Sequence, residues 1–374
     1  MVKLSAGGAH TCAVTPNGAA KCWGLNNRGQ IGDGTSGEEL KRLVPTQVSN
    51  LTSGVATIAS GGGHTCAHSW TEQMECWGSN EFGQIGDDRS GSENDRLVPI
   101  DVHVDTHFPI AIASGGEHTC AITGKGIPKC WGSAWAGQIG NGTMGLGAFK
   151  PFPVAVANIT SGTTAIAAGL EHSCALTSAG GVKCWGYNEF GQIGDGFDGL
   201  ANNRIVPSQV SNLLSGVTAI AAGGFHTCAL TSAGAVKCWG DNDYGQIGDG
   251  KGGTMANTLV PAQVSNLISG VTAITAGGNH TCALTSAGAV KCWGKNEFGQ
   301  IGDGTSGYMN NRLVPTQVSG LTSGVVAISA GGAHTCALMS TGTVKCWGLN
   351  ESGQVGDGTS GNNRLVPTQV VGFP

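Results

Sequence analysis

Few of the side chains that usually carry chemistry are present in this chain. Aspartate, glutamate, lysine and arginine together make up only 11 % of the 374 residues, and aromatic residues only 6 %. The formal net charge of −5 argues against a general surface for nucleic acid or anionic membrane. No apolar run approaches the roughly 18 residues that a transmembrane helix needs, so no membrane insertion is expected. No stretch repeats its apolar residues every 3.6 positions, which excludes helical solenoids. Residues 1–8 lack the apolar core of a secretory leader, so either a leader has been removed or the segment comes from a longer chain, such as a larger surface protein. Glycine is what abounds. Its 65 copies follow no collagen period and imply many tight turns between short strands.

Self-similarity organises the rest. His-Thr-Cys, once His-Ser-Cys, begins at His10, His64, His118, His172, His226, His280 and His334, always 54 residues apart. Cys-Trp-Gly follows ten residues after the first cysteine of each copy. The repeats run 1–54, 55–108, 109–162, 163–216, 217–270, 271–324 and 325–374, within a single domain over 1–374. In the fifth repeat, Val217–Ala222 reads as a short strand of small and β-branched residues. Gly223-Gly224 turns it into His226–Leu230, and Ala233-Gly234 turns that into Val236–Trp239. After a long polar loop, Pro261–Val264 supplies a fourth strand whose proline suits an outer edge. Four short strands per period predict an all-β fold, a seven-bladed propeller of four-stranded antiparallel blades. A parallel β-helix is the structural rival, but its coils are shorter than 54 residues.

The recurring segments Ala-Gly-Gly-x-His-Thr-Cys-Ala-Leu, Gly-x-Val-Lys-Cys-Trp-Gly-x-Asn-x-x-Gly-Gln-Ile-Gly-Asp-Gly and Leu-Val-Pro-x-Gln-Val resemble the regulator-of-chromosome-condensation repeat. The resemblance covers all seven repeats. It implies a seven-bladed propeller but no single activity, since the family includes nuclear exchange factors, secreted β-lactamase-inhibitor propellers and receptor ectodomains.

Fourteen cysteines fall two to a repeat: Cys12 and Cys22, Cys66 and Cys76, Cys120 and Cys130, Cys174 and Cys184, Cys228 and Cys238, Cys282 and Cys292, Cys336 and Cys346. In the first repeat Pro16-Asn17-Gly18 lies midway between them, and three residues ending in glycine suit a type I turn with a left-handed bulge. Thr15 and Ala19 then close the hairpin. Counting back, positions 12 and 22 form a non-hydrogen-bonded pair, where facing Cα atoms come closest, about 4.5 Å. That is within disulfide reach. Trp23 falls on the opposite face, where it would fill the space between blades. Buried free thiols are the competing reading. The absence of an odd cysteine favours seven disulfides and an oxidising compartment, hence a secreted or cell-surface protein.

Several constellations invite other chemistry. His-x-Cys-x9-Cys lacks a recurrent fourth ligand for zinc, and seven near-identical copies do not make one active site. The histidine is expected to bond loop backbone near the Gly-Gly turn. Gly-Gln-Ile-Gly-Asp-Gly lacks the lysine of a phosphate loop. Its aspartates (Asp33, Asp87, Asp195, Asp249, Asp303 and Asp357, with Asn141 in the third repeat) either cap the loop through Asx turns or contribute to a Ca²⁺ site, and capping suits the asparagine better. Sequons at Asn50, Asn141, Asn158 and Asn279 matter only for a eukaryotic secreted source. No cofactor is expected.

Function is sought where the copies diverge: the residue before each histidine, the residue after Trp-Gly, and the loop before the fourth strand. Up-and-down connectivity puts all three at one end of the blades. Trp135, Phe149, Tyr187, Phe197, Phe225, Tyr244, Met255, Tyr308 and Met309 are expected to be exposed anchors there, joined by Glu117, Glu171 and Asp241. Glu117 and Glu171 are also the only acid–base candidates expected at the central channel. The second and third repeats are irregular at the other end, in residues 68–75 and 101–107, which suggests a second contact patch. The reading is a non-catalytic extracellular recognition propeller, such as an adhesin module, that engages a protein or glycan through the variable face. An inhibitor that caps an enzyme's active site is the alternative. A nucleotide exchange factor is opposed by the disulfides and by the lack of a long wedge-like loop.

Overall fold

The structure, a computed structural model, describes residues 2–71, 73–104 and 109–373. Its described residues form seven four-stranded antiparallel sheets, each with its strands in chain order and each drawn from one repeat. The first blade comprises β1 (Lys3–Ala6), β2 (His10–Val14), β3 (Ala20–Leu25) and β4 (Lys41–Gln47). The innermost strands surround the axis, and β1 touches both Val55–Ser60 and Val325–Ala330. Small residues line this strand because converging blades leave little room. The outer strand begins earlier than its proline suggests: in the fifth blade it spans Thr258–Gln263, so the last residues of the polar loop join the ladder. Three 3-10 turns, Ser92–Asn94, Leu200–Asn202 and Tyr308–Asn310, interrupt the long loops.

Cys12 faces Cys22 in the β2–β3 register, and the two are joined by a disulfide with Cα atoms 4.1 Å apart. The same bond recurs at the equivalent pair of every blade, leaving no free cysteine. Each closes a loop of about ten residues and so adds at most roughly 2–3 kcal/mol through chain entropy. Two residues on, the β3–β4 register shifts around Gly24, whose φ is +107°. A Cβ there would lie 2.6 Å from the Ala9 carbonyl oxygen, so the bulge after tryptophan admits only glycine.

The core lies between blades. Trp23 is fully buried against Leu338, Val344, Val355 and Val370 of the seventh blade, with Phe373 packed beside its ring at 6.0 Å. Its indole N–H donates to the Gln354 carbonyl at 3.0 Å. The tryptophan of each Cys-Trp-Gly segment repeats this towards the preceding blade, as Trp77 does to Gln30. The same carbonyl takes a second donor, since Thr65 Oγ1 also donates to Gln30 O at 3.0 Å. With its proton so committed, that hydroxyl accepts from His10 Nε2 at 2.9 Å. The histidine therefore bonds the hydroxyl of the next blade, not the loop backbone expected for it. The donor direction also fixes its tautomer, with Nδ1 left as a buried acceptor lacking a donor. The Gly-Gly turn roofs the ring: a Cβ on Gly7 would come within 2.6 Å of His10 Cε1.

The joint recurs around the ring, and at the seventh interface His334 Nε2 meets Thr11 Oγ1 at 2.8 Å while Thr11 donates to Gln354 O at 2.9 Å. Closure therefore exchanges no strand between the ends. The seventh joint uses the same bonds as the other six.

Burial, reinforced by the neighbouring histidine, holds six of these imidazoles at a pKa of about 3. Burial alone holds His334 at about 4. An unfolded histidine takes its proton near 6.5. The stability these groups permit is thus complete above roughly pH 6.5 and falls as pH drops towards 3–4, by about 1.4 kcal/mol per pH unit for each proton taken up on unfolding. Raised carboxylates (Glu75, Asp95, Glu117, Glu171 and Asp241) pull the other way but are fewer. Calorimetric melting between pH 7.5 and 4 should show a melting temperature that falls monotonically below pH 6.5. A flat or rising profile would refute the neutral, buried histidine ring.

Candidate functional site

The face that carries the variable turns and loops rests on a polar frame in most blades. In the first, Asn26 Oδ1 accepts from Ile31 N at 3.1 Å, while its Nδ2 donates to Asp33 Oδ1 at 3.2 Å. Asp33 caps the loop as expected, accepting from Thr35 N at 3.1 Å. Its second oxygen does something the sequence reading missed: it holds Arg42 of the outer strand at 2.6 Å. Asp87–Arg96, Asp195–Arg204, Asp303–Arg312 and Asp357–Arg364 repeat the pair. Burial opposes the charge on Asp33, Asp303 and Asp357, but bonds from the nearby threonine and arginine prevail and hold the carboxyls below their ordinary range. The third blade lacks the whole frame, with Ala134, Asn141 and Lys150 at the three positions. Its loop leaves Met144 and Leu146 exposed.

On this face, blades three to five assemble one aromatic cluster. Ring centroids lie 5.5 Å apart for Trp135 and Tyr187, 5.6 Å for Tyr187 and Phe225, and 5.3 Å for Phe190 and Phe225. Tyr187 is therefore buried, a correction to its expected exposure: rings crowd it on three sides and its hydroxyl donates to Glu189. Asp241 is buried as well, because it accepts from Gln246 Nε2 at 2.7 Å and from the Asp243 amide at 3.0 Å. Trp135, Phe225 and Tyr244 are half-buried, while Phe149, Phe197, Met255, Tyr308 and Met309 are exposed. Phe197 lies under the Arg204 guanidinium at 5.2 Å, and Phe149 enters neither of the ring clusters on this face.

Beside the cluster runs a groove of about 420 Å³ lined by Leu25, Arg28, Phe82 and Leu170 and by three carboxylates, Glu81, Glu117 and Glu171. Glu117 and Glu171 thus flank the channel mouth; the channel itself is collared by Gly, Ala and Ser together with Leu170. The acid–base candidates expected at the central channel therefore lie beside it, not among the residues that line it. Leu170 is the residue that sequence reasoning missed. Six blades carry glycine there (Gly8, Gly62, Gly116, Gly224, Gly278 and Gly332), and the leucine side chain reaches the turns on both sides, at Gly116 and Gly224. The signal was present as Gly169-Leu170 in place of Gly-Gly.

Burial and the neighbouring Glu117 charge push the Glu171 carboxyl up to about 7, against a lowering hydrogen bond from Trp135. Partial desolvation and Glu81 raise Glu117. Arg28 is engaged by Glu81 at 3.5 Å and by Asp95 at 3.3 Å. Among the described residues, Glu117, Glu171 and Glu189 have no ion-pair partner, and no group of three or more His, Cys, Asp or Glu side chains could hold a metal.

At the opposite end, Trp70 is 75 % exposed beside a groove lined by Lys3, Pro16 and Asn17. Glu72, Asp105, Thr106 and His107, counted in the second patch, lie outside the described residues. Asn50 and Asn158 occupy left-handed turn positions (φ +63° and +59°), which accounts for asparagine there without a sugar.

Fold and face together define a closed seven-bladed propeller whose side-chain variety is concentrated at one end. The chain belongs to the RCC1 family. The RCC1-like domain matches residues 142–373, and the regulator of chromosome condensation (RCC1) repeat matches residues 1–30, 17–68 and 76–122. The ultraviolet-B receptor UVR8 of Arabidopsis thaliana is 30 % identical over 96 % of this chain and 79 % of its own length. The human E3 ubiquitin-protein ligase HERC2 is 32 % identical over 94 % of this chain, which spans only 7 % of that protein. Yeast RCC1 (Prp20), solved with Kap60, shares the fold at 22 % identity and a TM-score of 0.80, over 96 % of this chain and 84 % of its own. Human WBSCR16 does so at 22 % identity and 0.82, over 95 % and 94 %.

The groove makes its own prediction. In a carbon-detected NMR titration, Glu171 should titrate close to pH 7, and Glu117→Gln should lower that midpoint by removing the like charge. An ordinary carboxylate midpoint for Glu171 in the native protein would show that the groove is open to water.

Proposed function

We propose that this propeller is a non-catalytic, extracellular protein-binding module whose partner docks at the channel mouth of blades two to five. One observation carries the reading: half-buried carboxylates without counter-ions line a groove that also presents Leu25, Phe82 and Leu170, next to an aromatic ridge, on a face where most of the loop-capping aspartates are paired with arginine. Uncompensated charge beside Leu170, Phe82, Trp135 and Phe225 suits a protein segment that brings basic residues and an apolar anchor. A neutral glycan would leave the charge unanswered. The relatives support binding in general: yeast RCC1 is described in complex with Kap60, and its structure is also described with binding to Gsp1p and histones. The fourteen paired cysteines support an oxidising compartment.

Two measurements test this. Immobilised native protein and a Trp135→Ala/Glu171→Gln/Phe225→Ala variant are offered the proteins of the source environment, with Trp70→Ala as the opposite-face control. The partner should be retained by the control, lost by the triple variant at least tenfold, and released by salt. Retention by the triple variant would remove the loop face from the proposal. Thiol labelling of protein purified from its source under denaturing, non-reducing conditions should find no reactive cysteine. Fourteen would overturn the compartment.

A further inference from the structure

The loops of the fifth and sixth blades build a ring cluster of a different kind. Lys295 follows Trp293-Gly294, at a position filled elsewhere by Leu25, Ser79, Ser133, Tyr187, Asp241 and Leu349. Its Nζ lies 4.8 Å from the Tyr244 ring centroid, 5.6 Å from that of Tyr308 and 5.9 Å from that of Phe298. A Glu297 carboxylate oxygen sits 2.8 Å from the same nitrogen, and Glu297 also accepts a hydrogen bond from Tyr308. Three ring faces and one carboxylate therefore surround a single ammonium head. The rings are spaced around it and do not collapse on one another: none of the ring–ring contacts among the described residues joins Tyr244, Phe298 or Tyr308, whereas the Trp135 cluster closes at 5.3–6.2 Å.

Attraction between a cation and a ring face operates within about 6 Å and grows as the cation is more easily dehydrated. A primary ammonium is strongly hydrated and presents three N–H donors, of which Glu297 answers one. A quaternary ammonium has no donors to satisfy, carries a thinner hydration shell and meets all three rings with methyl surface. The cage suits such a group better than it suits the lysine that fills it. Tyr308 is itself 63 % exposed, so the cage can be reached by an approaching ligand, and Met255 and Met309 are nearly fully exposed on the loops of the same two blades.

We propose that Tyr244, Phe298, Tyr308 and Glu297 form a binding site for a quaternary ammonium group, which Lys295 occupies in cis until such a ligand displaces it. Displacement requires only rotation of the lysine side chain, since the Lys295 amide stays bonded to the Asn279 carbonyl at 2.9 Å. Burial works against the lysine charge, but Glu297 and the two tyrosines more than offset it and raise its pKa, so the resident competitor is a full cation at neutral pH. Glu297 adds selectivity. A ligand with an anion next to its ammonium, such as phosphocholine, is repelled, whereas the trimethylated lysine of a peptide is accepted. This site stands apart from the channel-mouth groove and does not depend on what fills that groove.

The test follows the methyl proton resonances of tetramethylammonium, Nε-trimethyllysine and phosphocholine on titration with native protein, Lys295→Ala, and Lys295→Ala/Tyr308→Ala. Lys295→Ala should bind the first two at least tenfold more tightly than native protein, with upfield ring-current shifts. Tyr308→Ala in that background should weaken both at least tenfold, and phosphocholine should bind at least tenfold less tightly than trimethyllysine. Lys295→Met, which keeps the stem, replaces the alanine variant if that one does not fold. A folded Lys295 variant that binds no more tightly than native protein, or whose binding survives Tyr308→Ala, overturns the site. Equal affinity for phosphocholine overturns the role given to Glu297.

Discussion

One hydroxyl per blade interface governs this molecule. Thr65 Oγ1 donates its proton to the Gln30 carbonyl and uses a lone pair for His10 Nε2, tying the second strand of one blade to both a loop and a strand of its neighbour. In a buried site such a hydroxyl has no spare proton, so the directions of both bonds are forced. Ser173 serves equally well at one joint, accepting from His118 at 2.8 Å, because only the oxygen is needed. The indole of Trp77 adds a second donor to the same carbonyl, so the Gln30 oxygen uses both lone pairs. Steric consequences follow. The imidazole lies so close to the Gly-Gly turn that a side chain on its first glycine would clash, and the second glycines approach one another around the collar, with a Cβ on Gly8 only 2.6 Å from Gly62 O. The glycines, the histidine and the hydroxyl are one constraint expressed at three positions.

The disulfides have a different scope. Each lies within one hairpin and crosses no interface, so it limits the unfolded hairpin without tying blades together. Ring cohesion comes from buried tryptophan, the histidine joint and the aliphatic layer between blades. The ring therefore closes end to end: the last interface carries the same histidine–hydroxyl–carbonyl joint as the rest.

What could be read from the sequence follows from locality. The 54-residue period and the turn between Cys12 and Cys22 are short-range facts, and they led directly to blade number and cysteine register. The Asp33–Arg42 pair is nine residues apart and was also legible, since every repeat with arginine at that position also has the aspartate, and the third repeat, with Lys150, has Asn141. Comparison of single columns passed over it. Leu170 was visible one residue before the position that was compared. The histidine's partner was not legible, being 55 residues ahead in a copy that looks the same as its own. Nor was the burial of Tyr187, which depends on rings supplied by three blades; an aromatic residue at a variable position reads as exposed until its neighbours are known. The Lys295 cage is hidden for the same reason, with Tyr244 arriving from the preceding blade and Tyr308 from a 3-10 turn that no period announces.

The distribution of departures from the repeat bears on function more than any single residue does. A position can drift freely only if no buried bond depends on it. Ala134, Asn141 and Lys150 break a polar frame that five blades keep whole, and Leu170 enters a collar where every other blade has glycine. Loss of a frame that positions a loop costs on the order of 1 kcal/mol per charge-assisted bond, and a leucine held over the axis with 42 % of its surface exposed contributes little burial in return. These changes sit in adjacent blades, next to the unpaired Glu117 and Glu171 and to the only cluster of mutually packed rings on this face among the described residues. Independent drift would scatter such losses among seven equivalent blades. Their concentration in one sector supports the proposed docking surface: the scaffold there gives up a frame that five blades keep, next to apolar and acidic groups that a partner would cover.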